Sequence, residues 1–483
     1  MSRTIVGPFN RVEGDLEVQL EIADGKVNEA WVVSPMYRGF EQILHGKDPR
    51  DALIYTPRIC GICSVSQSIA AADALANAQG VERPMNGELS LNLIHACENL
   101  ADHFTHFYLF FMPDFARAIY SKEPWFEAVE KRFKAGKGRA AADVMQARAE
   151  FMHLMGIMAG KWPHTLGIQP GGSARSIEAT EKVRLLSIIS GFRRFLEARL
   201  FGTELEAILE IANPQQLDNW RDAGDPDQSD FRRLLQLSQD LQLETLGQTT
   251  GRFMSYGVYP LEGERTFKSG VWYEGQLTEL NPDKITEDIS HSWMEGQADP
   301  THPYHGVTLP NADMDSGYSW CKAPRLDGQV VEVGALARQL IDGQPLINDL
   351  VASSGSNVRN RVIARLLELP RVLIEMEQWC RQLKPKEPFC VESGVTRESE
   401  GFGLTEAARG SLGHWVRIKN GRILNYQIVA PTTWNFSPRD QNGITGPLEQ
   451  ALVGAPVREG EREPVAVQHI VRSFDPCMVC TVH

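Results

Sequence analysis

The chain has 483 residues, and its composition, 42% hydrophobic and 23% charged, is that of an ordinary globular protein. Its length allows one large core or about two to three ordinary domains. The formal net charge of −13 argues against a surface that binds nucleic acid or an anionic membrane. No stretch approaches the roughly twenty consecutive apolar residues of a transmembrane helix, so we expect no membrane span.

The first residues lack the apolar stretch of a secretory signal. We therefore expect the protein in the cytoplasm, and the alternative is export attached to a partner that carries a signal. Eight cysteines in a chain of this length are not typical of the disulfide scaffold of a small secreted domain.

Turn signals predict two β-hairpins. Residues 15–36 alternate between apolar and polar side chains around Asp24 and Gly25, and the segment from His414 to Val429 does so around Asn420-Gly421. Asn-Gly and Asp-Gly favour the tight turns that join antiparallel strands.

Apolar segments predict long helices in the order of the chain. The first covers 89–112, starts near Ser90 and is buried around most of its circumference; the others cover 140–161, 176–212 and 353–383. Residues 227–347 are mixed and rich in turn residues, and 436–483 are predicted as loop with one short helix near 448–453.

The first long helix carries a polar stripe. Its members follow one another at i, i+4, i+7 and i+11, and they are His95, Asn99, Asp102 and His106. Residues at this spacing share one face of a helix. The stripe therefore faces either water or a functional site, and the spacing alone does not decide between them.

Four of the eight cysteines form two Cys-x-x-Cys pairs at opposite ends of the chain. The first pair is Cys60 and Cys63, and the second is Cys477 and Cys480. The remaining four are interpreted as small buried hydrophobic residues, the common environment of a free thiol; they are Cys97, Cys321, Cys380 and Cys390.

Two such pairs supply four soft sulfur ligands, which suit a soft metal. A structural zinc site is one interpretation, although zinc ribbons separate their pairs by roughly 15–20 residues and here several hundred intervene. A functional metal between the two chain ends is the second interpretation, and a redox-active thiol pair is the third.

Both pairs, with their flanking residues, resemble the two signature motifs of nickel–iron hydrogenase large subunits. Further matching segments follow in the family's order: Arg11-Val12-Glu13-Gly14, Tyr37-Arg38-Gly39-Phe40-Glu41, Asp102-His103 to His106-Phe107-Tyr108, Pro170-Gly171-Gly172, Lys322-Ala323-Pro324-Arg325, Arg409-Gly410 to His414-Trp415, and Pro431-Thr432-Thr433-Trp434-Asn435. A related subunit of respiratory complex I shares the fold but lacks the four cysteines, which disfavours it.

The resemblance implies a mixed α/β fold, with a central bundle of long helices flanked by α/β lobes. It also implies a single large-subunit unit over 1–483. We expect a β-rich N-terminal lobe over about 1–50, a helical core over about 51–215 and 350–385, a mixed lobe over about 216–349, and a C-terminal segment with a hairpin and metal ligands over about 386–483.

The resemblance also implies the metal centre. Cys60 and Cys477 would bind nickel terminally, while Cys63 and Cys480 would bridge nickel to an iron that carries carbon monoxide and cyanide. The implied activity is reversible, heterolytic cleavage of dihydrogen. Thiolates are soft anionic donors, and a terminal thiolate keeps enough basicity to accept a proton.

Other residues match positions with known roles in the family. Glu13 matches the glutamate that relays protons, and the alternative is an exposed charge beside a strand. Arg409 matches the arginine above the metals, with Asp102 and Asp475 as its carboxylate partners, as a buried guanidinium requires. Thr432 matches the hydroxyl that binds a cyanide ligand, and the alternative is an ordinary turn threonine.

A second metal is implied near the C-terminus. Glu41, the carbonyl of Ile428 and the terminal His483 match the ligands of a divalent ion, usually magnesium. Oxygen-rich, partly hydrated sites suit that ion. Without the resemblance, a terminal histidine would be interpreted as a frayed end.

The implied partner is a small subunit that carries iron–sulfur clusters, because this chain has no cysteine set left to bind them. The assembly would be a heterodimer, and a dimer of heterodimers is the larger alternative. Electrons from dihydrogen would leave through this partner.

Several positions depart from the common family pattern. Gln67 replaces a histidine, Ile62 a valine and Phe110 a leucine, while Ala408 and Asp15 replace a proline and a histidine. The chain ends at His483, where typical precursors carry a tail that is later removed. These departures resemble the hydrogen-sensing branch, which turns over slowly, signals to a histidine kinase and tolerates oxygen because bulky residues such as Ile62 and Phe110 narrow the gas channel. A catabolic uptake enzyme is the alternative.

Overall fold

The computed structural model describes residues 3–392, 394 and 396–483. Within these residues the strands are β1 (Thr4–Val6), β2 (Glu17–Ala23), β3 (Lys26–Val33), β4 (Ile168–Gln169), β5 (Gly172–Ser173), β6 (Phe253–Ser255), β7 (Val258–Leu261), β8 (Glu264–Phe267), β9 (Gly270–Tyr273), β10 (Gln276–Thr278), β11 (Ile285–Asp288), β12 (Met294–Glu295), β13 (Leu309–Pro310), β14 (Ala323–Leu326), β15 (Ser399–Ala407), β16 (Gly410–Lys419) and β17 (Arg422–Val429). Three sheets have three strands, in the orders β1-β2-β3, β10-β9-β6 and β15-β16-β17, and the other strands pair as β4-β5, β7-β8, β11-β14 and β12-β13.

The helices connect these small sheets. They are α1 (Phe40–Leu44), α2 (Ala52–Tyr55), α3 (Ser64–Gln79), α4 (Met85–Thr105), α5 (Phe126–Phe133), α6 (Arg139–Ala159), α7 (Ala179–Phe195), α8 (Leu205–Leu209), α9 (Pro214–Asp222), α10 (Asp230–Asp240), α11 (Ala335–Ile341), α12 (Pro345–Ser354), α13 (Val358–Gln382), α14 (Pro431–Asn435), α15 (Pro447–Leu452), α16 (Val465–Phe474) and α17 (Met478–Thr481). Two π-helical turns, His106–Phe111 and Leu196–Phe201, follow α4 and α7 directly.

Both predicted hairpins are confirmed. β2 pairs with β3, and β16 pairs with β17, each pair antiparallel. The central turn residues Asp24, Gly25, Asn420 and Gly421 all have positive φ, as the tight turn requires. The sequence did not predict β15, whose whole length pairs with β16 and makes the second hairpin a three-stranded sheet.

Helix α4 lies at the centre of the molecule. It packs against α13, α6 and α3, and every residue from Asn86 to Phe104 except Glu88 is buried. The prediction of a buried helix is therefore confirmed, although it starts at Met85 rather than near Ser90 and its α-helical part ends at Thr105. The π-helical turn that follows changes the number of residues per turn. The face of the helix on which Phe110 lies therefore cannot be predicted from α-helical spacing.

The other predicted helices are present with different bounds. The segment 140–161 is α6. The segment 176–212 is divided at Gly202, whose φ of 69° ends the helical path before α8 begins. Likewise, Gly355 with φ of 70° separates α12 from α13, so 353–383 is not one helix.

The C-terminal segment is more helical than predicted. The short helix near 448–453 is α15, but α16 was missed, although Val467, Ile470, Val471 and Phe474 follow the i, i+3, i+4, i+7 pattern that indicates a helix. The prediction for the four single cysteines is right for Cys97, Cys321 and Cys380 but wrong for Cys390, whose segment before the C-terminal sheet leaves it exposed.

Helix α3, which starts directly after Cys63, was not predicted from the sequence. Its residues are mainly alanine and serine and are buried on most sides, so it has no distinct polar face. It packs closely against β15, because Gly401 and Gly403 allow the strand backbone to approach the helix backbone. A Cβ atom at Gly403 would lie only 2.0 Å from the carbonyl oxygen of Ala70.

We expect Gly403→Ala to lower the free energy of unfolding by about 1–3 kcal/mol, because the added methyl group overpacks the α3–β15 contact. Gly191→Ala is the matched control, since its Cβ would meet nothing closer than 3.8 Å, and helix propensity then favours alanine by about 1 kcal/mol. Denaturant unfolding of both variants measures the difference. Equal stability of Gly403→Ala and the parent would contradict the close contact.

Candidate metal centre

The two Cys-x-x-Cys pairs meet in the buried interior. Cys60 follows a 3-10 turn (Thr56–Ile59), and Cys63 immediately precedes α3. Cys477 immediately precedes α17, and Cys480 lies within it. Each sulfur of the first pair lies near one sulfur of the second: the distance is 3.4 Å between Cys60 and Cys477 and 3.0 Å between Cys63 and Cys480.

All four Sγ atoms lie within 4.8 Å of one another, and all four residues are buried. Hydrogen bonds from the other three thiols lower the pKa of Cys60 well below its usual value, so the cluster favours at least one thiolate. Four convergent thiols shielded from water are the donor set of a soft metal. The residues therefore fit a thiolate-bound metal centre.

Two contacts join the first cysteine segment and the N-terminus to the last residues of the chain. Glu13 and Cys477 form an isolated parallel β-bridge, and the carbonyl of Glu13 accepts from the amide of Met478 at 2.7 Å. The Arg38 guanidinium donates to the carbonyl of Ile59 at 2.6 Å and also to the carbonyl of Val479. No role for Arg38 was predicted from the sequence, although it lies in the motif Tyr37-Arg38-Gly39-Phe40-Glu41.

Arg409 lies near the cysteines and is fully buried. Its guanidinium donates to the carboxylate of Asp102 at 2.6 Å, and to the carboxylate of Asp475 at 3.0 Å and its carbonyl at 2.7 Å. Burial opposes the charge, but the carboxylates of Asp102 and Asp475 raise the pKa of Arg409 well above its usual value. The structure thus brings together the predicted arginine and both of its predicted partners.

Glu13 is half-buried beside the same cluster. Burial raises the pKa of its carboxyl group, and the negative charge of Cys60 adds to this effect, while Arg409 and Arg38 oppose it. The interpretation of Glu13 as an ordinary exposed charge is therefore wrong. A raised pKa makes a carboxyl group a better proton acceptor than an ordinary glutamate.

The polar stripe of α4 faces the protein interior. His95 contacts the hydroxyl of Ser66 at 3.2 Å, and Asn99 donates to the hydroxyl of Tyr259 at 2.9 Å. The fourth member, His106, contacts the carbonyl of Arg472 at 2.6 Å. All four stripe residues are buried, so the stripe does not face water.

Gln67 lies one helical turn after Cys63 and belongs to a buried chain of hydrogen bonds. Its side-chain oxygen is 2.8 Å from Nε2 of His414, and Nδ1 of His414 is 2.9 Å from the hydroxyl of Tyr426. Burial lowers the pKa of His414 to about 3, so its ring is neutral and Nε2 donates to Gln67.

Thr432 and Ile62 both contact the cysteine segments. The Thr432 hydroxyl accepts from the amide of Cys477 at 3.1 Å, and it can still donate its hydrogen to another acceptor. Ile62 packs against the apolar cluster around the four cysteines. Phe110 is half-buried in the π-helical turn, and it is not among the described residues that pack against this cluster.

A second polar cluster surrounds the C-terminal residue. The Nε2 atom of His483 lies 2.6 Å from the carbonyl of Ile428 and 3.3 Å from the carboxylate of Glu41. The Lys322 ammonium lies 3.5 Å from the same carboxylate. Although burial opposes the shift, Lys322 and His483 lower the pKa of Glu41 to about 2. The three predicted ligands of the second metal therefore meet in one place, around a cavity of about 10 Å³ that Glu287 also lines.

Comparison with known proteins identifies the family. A profile of the family described as nickel-dependent hydrogenase matches residues 38–122 and 233–483. The periplasmic [NiFeSe] hydrogenase large subunit of Desulfomicrobium baculatum is 31% identical, over 99% of this chain and 94% of its own. The hydrogenase-2 large chain of Escherichia coli (strain K12) is 28% identical, over 100% of this chain and 97% of its own.

Solved structures agree. The H2-activated [NiFeSe]-hydrogenase of Dm. baculatum superposes with a TM-score of 0.86 at 29% identity, and the chains cover each other completely. The reduced Ni-Fe-Se hydrogenase of D. vulgaris Hildenborough gives a TM-score of 0.85 at 30% identity, again with complete coverage of both chains. The mixed α/β large-subunit fold expected from the sequence is confirmed.

The chain belongs to the nickel-dependent hydrogenase family. It is the large subunit of a nickel–iron hydrogenase, an oxidoreductase that cleaves dihydrogen, and in this family a small subunit completes the heterodimer. The four cysteines form a metal-binding group, as the nickel–iron active site of the family requires. The structural-zinc and thiol-redox interpretations are therefore wrong.

In the described part of the chain, no helix is both long and apolar enough to span a membrane.

We expect Arg38→Gln to lower nickel retention about 10-fold or more, because loss of an outer contact that orients metal ligands typically costs 10–100-fold in affinity. Glutamine cannot bridge the carbonyls of Ile59 and Val479. Nickel per chain after dialysis against a chelator measures the effect. Cys60→Ala should retain no nickel, and Arg50→Gln, in an exposed turn, should retain the parental amount. Parental retention in Arg38→Gln would contradict a role for this bridge.

Proposed function

We propose that Cys60 and Cys477 bind nickel terminally and that Cys63 and Cys480 bridge it to an iron with carbon monoxide and cyanide ligands. The observation that carries this assignment is the convergence of four buried sulfur atoms, in which each cysteine of the first pair lies near its counterpart in the second. When bound, the nickel–iron centre supplies the site at which dihydrogen is split heterolytically.

The surrounding side chains would divide the remaining work. A terminal cysteine thiolate would accept a proton, and Glu13 would carry it away from the cluster; the raised pKa of Glu13 and its position beside Cys60 support this role. Arg409 presents a fixed positive charge to the centre, and Asp102 and Asp475 hold its orientation. Thr432 would donate a hydrogen bond to a cyanide ligand.

We also propose a divalent ion, usually magnesium in this family, bound by Glu41, the carbonyl of Ile428 and His483. The proximity of these groups and the low pKa of Glu41 support the assignment, because an ionised carboxylate and a carbonyl are hard donors. His483 shares a short C-terminal segment with Cys480, and its Nδ1 is 2.9 Å from the carbonyl of Cys480. The ion would thereby hold the last cysteine in place.

Cleavage of dihydrogen releases two electrons as well as two protons, so a redox partner is needed. We propose that the small subunit carries iron–sulfur clusters, that the heterodimer or a dimer of heterodimers is the working assembly, and that it resides in the cytoplasm. Eight cysteines, four of them in the metal-binding group, support placing these clusters in the partner.

For the cellular role we propose an oxygen-tolerant hydrogen sensor that signals to a histidine kinase. The support is the set of residues around the cysteines that depart from the common family pattern, especially Gln67 and Ile62. A second candidate is hydrogen uptake for respiration, which is favoured by relatives named uptake hydrogenase large subunit in Bradyrhizobium diazoefficiens and quinone-reactive Ni/Fe-hydrogenase large chain in Wolinella succinogenes.

Infrared spectroscopy of the purified heterodimer tests the metal centre. The expected result is stretching bands of metal-bound carbon monoxide and cyanide, together with nickel and iron bound to the protein. Their absence from an active preparation would overturn the assignment. Deletion of the gene distinguishes the two roles: a sensor is required for hydrogen-dependent transcription, whereas an uptake enzyme is required for hydrogen-dependent respiration.

We expect Glu13→Gln to slow the enzyme-catalysed isotope exchange between deuterium gas and water protons about 100-fold or more, because glutamine keeps the shape of the side chain but carries no proton. The nickel content should stay parental. Glu21→Gln is the control, since Glu21 is also half-buried but lies in the β2–β3 hairpin. Exchange at the parental rate in Glu13→Gln would exclude Glu13 as the relay.

We expect Ile62→Val combined with Phe110→Leu to make activity sensitive to oxygen while anaerobic turnover persists, if both residues narrow the gas channel. Dye reduction by hydrogen before and after exposure to air measures this. The control is Ile211→Val with Phe195→Leu, which also changes a half-buried isoleucine and phenylalanine but away from the cysteines. Each Ile→Val exchange should cost about 0.5–1.5 kcal/mol. An air-stable double variant would contradict the channel role.

A further inference from the structure

Glu98 is a buried carboxylate on α4 that the proposed chemistry does not use. Only 2% of its surface is exposed. Its oxygens accept hydrogen bonds from the amides of Val65 and Ser66, both at 2.9 Å, and from the indole nitrogen of Trp162 at 2.8 Å. The hydroxyls of Ser66 and Ser64 lie at 3.2 and 3.3 Å.

Most of these donors belong to the first turn of α3. The first amides of an α-helix have no partner within the helix, and a side chain just before the helix usually accepts from them. That position is occupied by Cys63, whose side chain makes no capping bond and faces the other three sulfur atoms. The acceptor is instead supplied by Glu98, from a different helix.

The position of Glu98 on α4 links two parts of the metal centre. Asp102, one helical turn further along, binds the guanidinium of Arg409. Two carboxylates on one face of α4 therefore hold the site: Glu98 holds the segment that starts at Cys63, and Asp102 holds the arginine near the sulfur atoms. Because α4 is buried on all sides, neither carboxylate can shift without moving the core.

The ionised form of Glu98 suits its five hydrogen-bond donors. Burial raises its pKa to about 7, and the bonds from Val65, Trp162 and Ser66 oppose that rise. An ionised carboxylate accepts all five bonds, whereas a protonated one would have to direct its own hydrogen at a donor. The positive end of α3 further favours the ionised form.

We propose that Glu98 is a positioning residue of the metal centre, which fixes the first turn of α3, and with it Cys63, relative to Arg409. The proposal rests on the proposed function of the four cysteines as metal ligands. Glu98 touches none of the sulfur atoms among its described contacts, so it acts through the backbone of Val65 and Ser66.

The test compares Glu98→Gln with Glu88→Gln in the purified heterodimer. Glutamine offers one acceptor oxygen and turns its amino group towards a backbone amide, so one of the two amides loses its partner. Glu88 lies on the same helix and accepts from the amide of Glu262 at the surface, which makes it a matched control. The readouts are the infrared bands of the metal-bound diatomic ligands, nickel retention against a chelator and the thermal midpoint.

We expect shifted or multiple infrared bands in Glu98→Gln and about 10-fold weaker nickel retention, the usual effect of removing an outer contact to a ligand segment. Glu88→Gln should match the parent. A purely structural role would lower the thermal midpoint but leave the bands of the folded protein unchanged. That result would overturn the proposal.

If Glu98→Gln does not assemble, Trp162→Phe decides, because it removes one donor to Glu98 and leaves the bonds to α3 in place. A smaller shift of the same bands would support the positioning role, and parental bands would overturn it. The parent is measured first. A parent without nickel would overturn the proposed function itself, whereas a loaded parent with unaffected variants would overturn only the role of Glu98.

Discussion

Mutual proximity of four sulfur atoms from opposite ends of the chain is the constraint on which the rest of this structure depends. Bringing Cys63 and Cys480 within 3.0 Å of each other requires several hundred intervening residues to be ordered, and that ordering costs conformational entropy. Burial of apolar surface around α4 and α13 offsets the cost. The β-bridge of Glu13 and the hydrogen bonds of Arg38 connect the two ends directly and keep the sulfur atoms close together.

A buried metal centre also demands that every buried charge near it has a partner, because an unpaired one costs several kcal/mol. Arg338 illustrates how far this requirement extends. Its guanidinium binds Glu368 at 2.8 and 2.9 Å and Glu406 at 2.9 Å, and it also donates to the carbonyl of Ala408. Since Ala408 directly precedes Arg409, this network holds the backbone from which the arginine reaches the cysteines.

The same fold is kept in relatives that share only about a third of their residues or fewer with this chain. One expected departure from the common family pattern lies just outside the cysteines, one helical turn after Cys63. Here a neutral amide, Gln67, meets a histidine whose pKa burial lowers to about 3, so this contact brings no net charge to the first turn of α3. Differences of this kind leave the ligands unchanged while altering the electrostatic environment in which they work.

The sequence alone determined the features that depend on near neighbours. Asp24-Gly25 and Asn420-Gly421 predicted both hairpins, and the apolar segment 89–112 predicted a long buried helix. The spacing within each cysteine pair favoured a metal site over a redox-active thiol pair. The resemblance of the motifs then identified the family before any contact was known. These features could be predicted because turn chemistry and helical periodicity are local properties of the chain.

Only the tertiary structure decided the features that depend on distant residues. Helix α3 has no polar face to reveal it, because its surroundings bury most of it, and its first turn is capped by Glu98 from another helix. The π-helical turn at Phe110, the exposure of Cys390 and the bridge from Arg38 to Val479 have the same origin. Each is set by packing against segments far away in the sequence, and such contacts cannot be predicted from local sequence patterns.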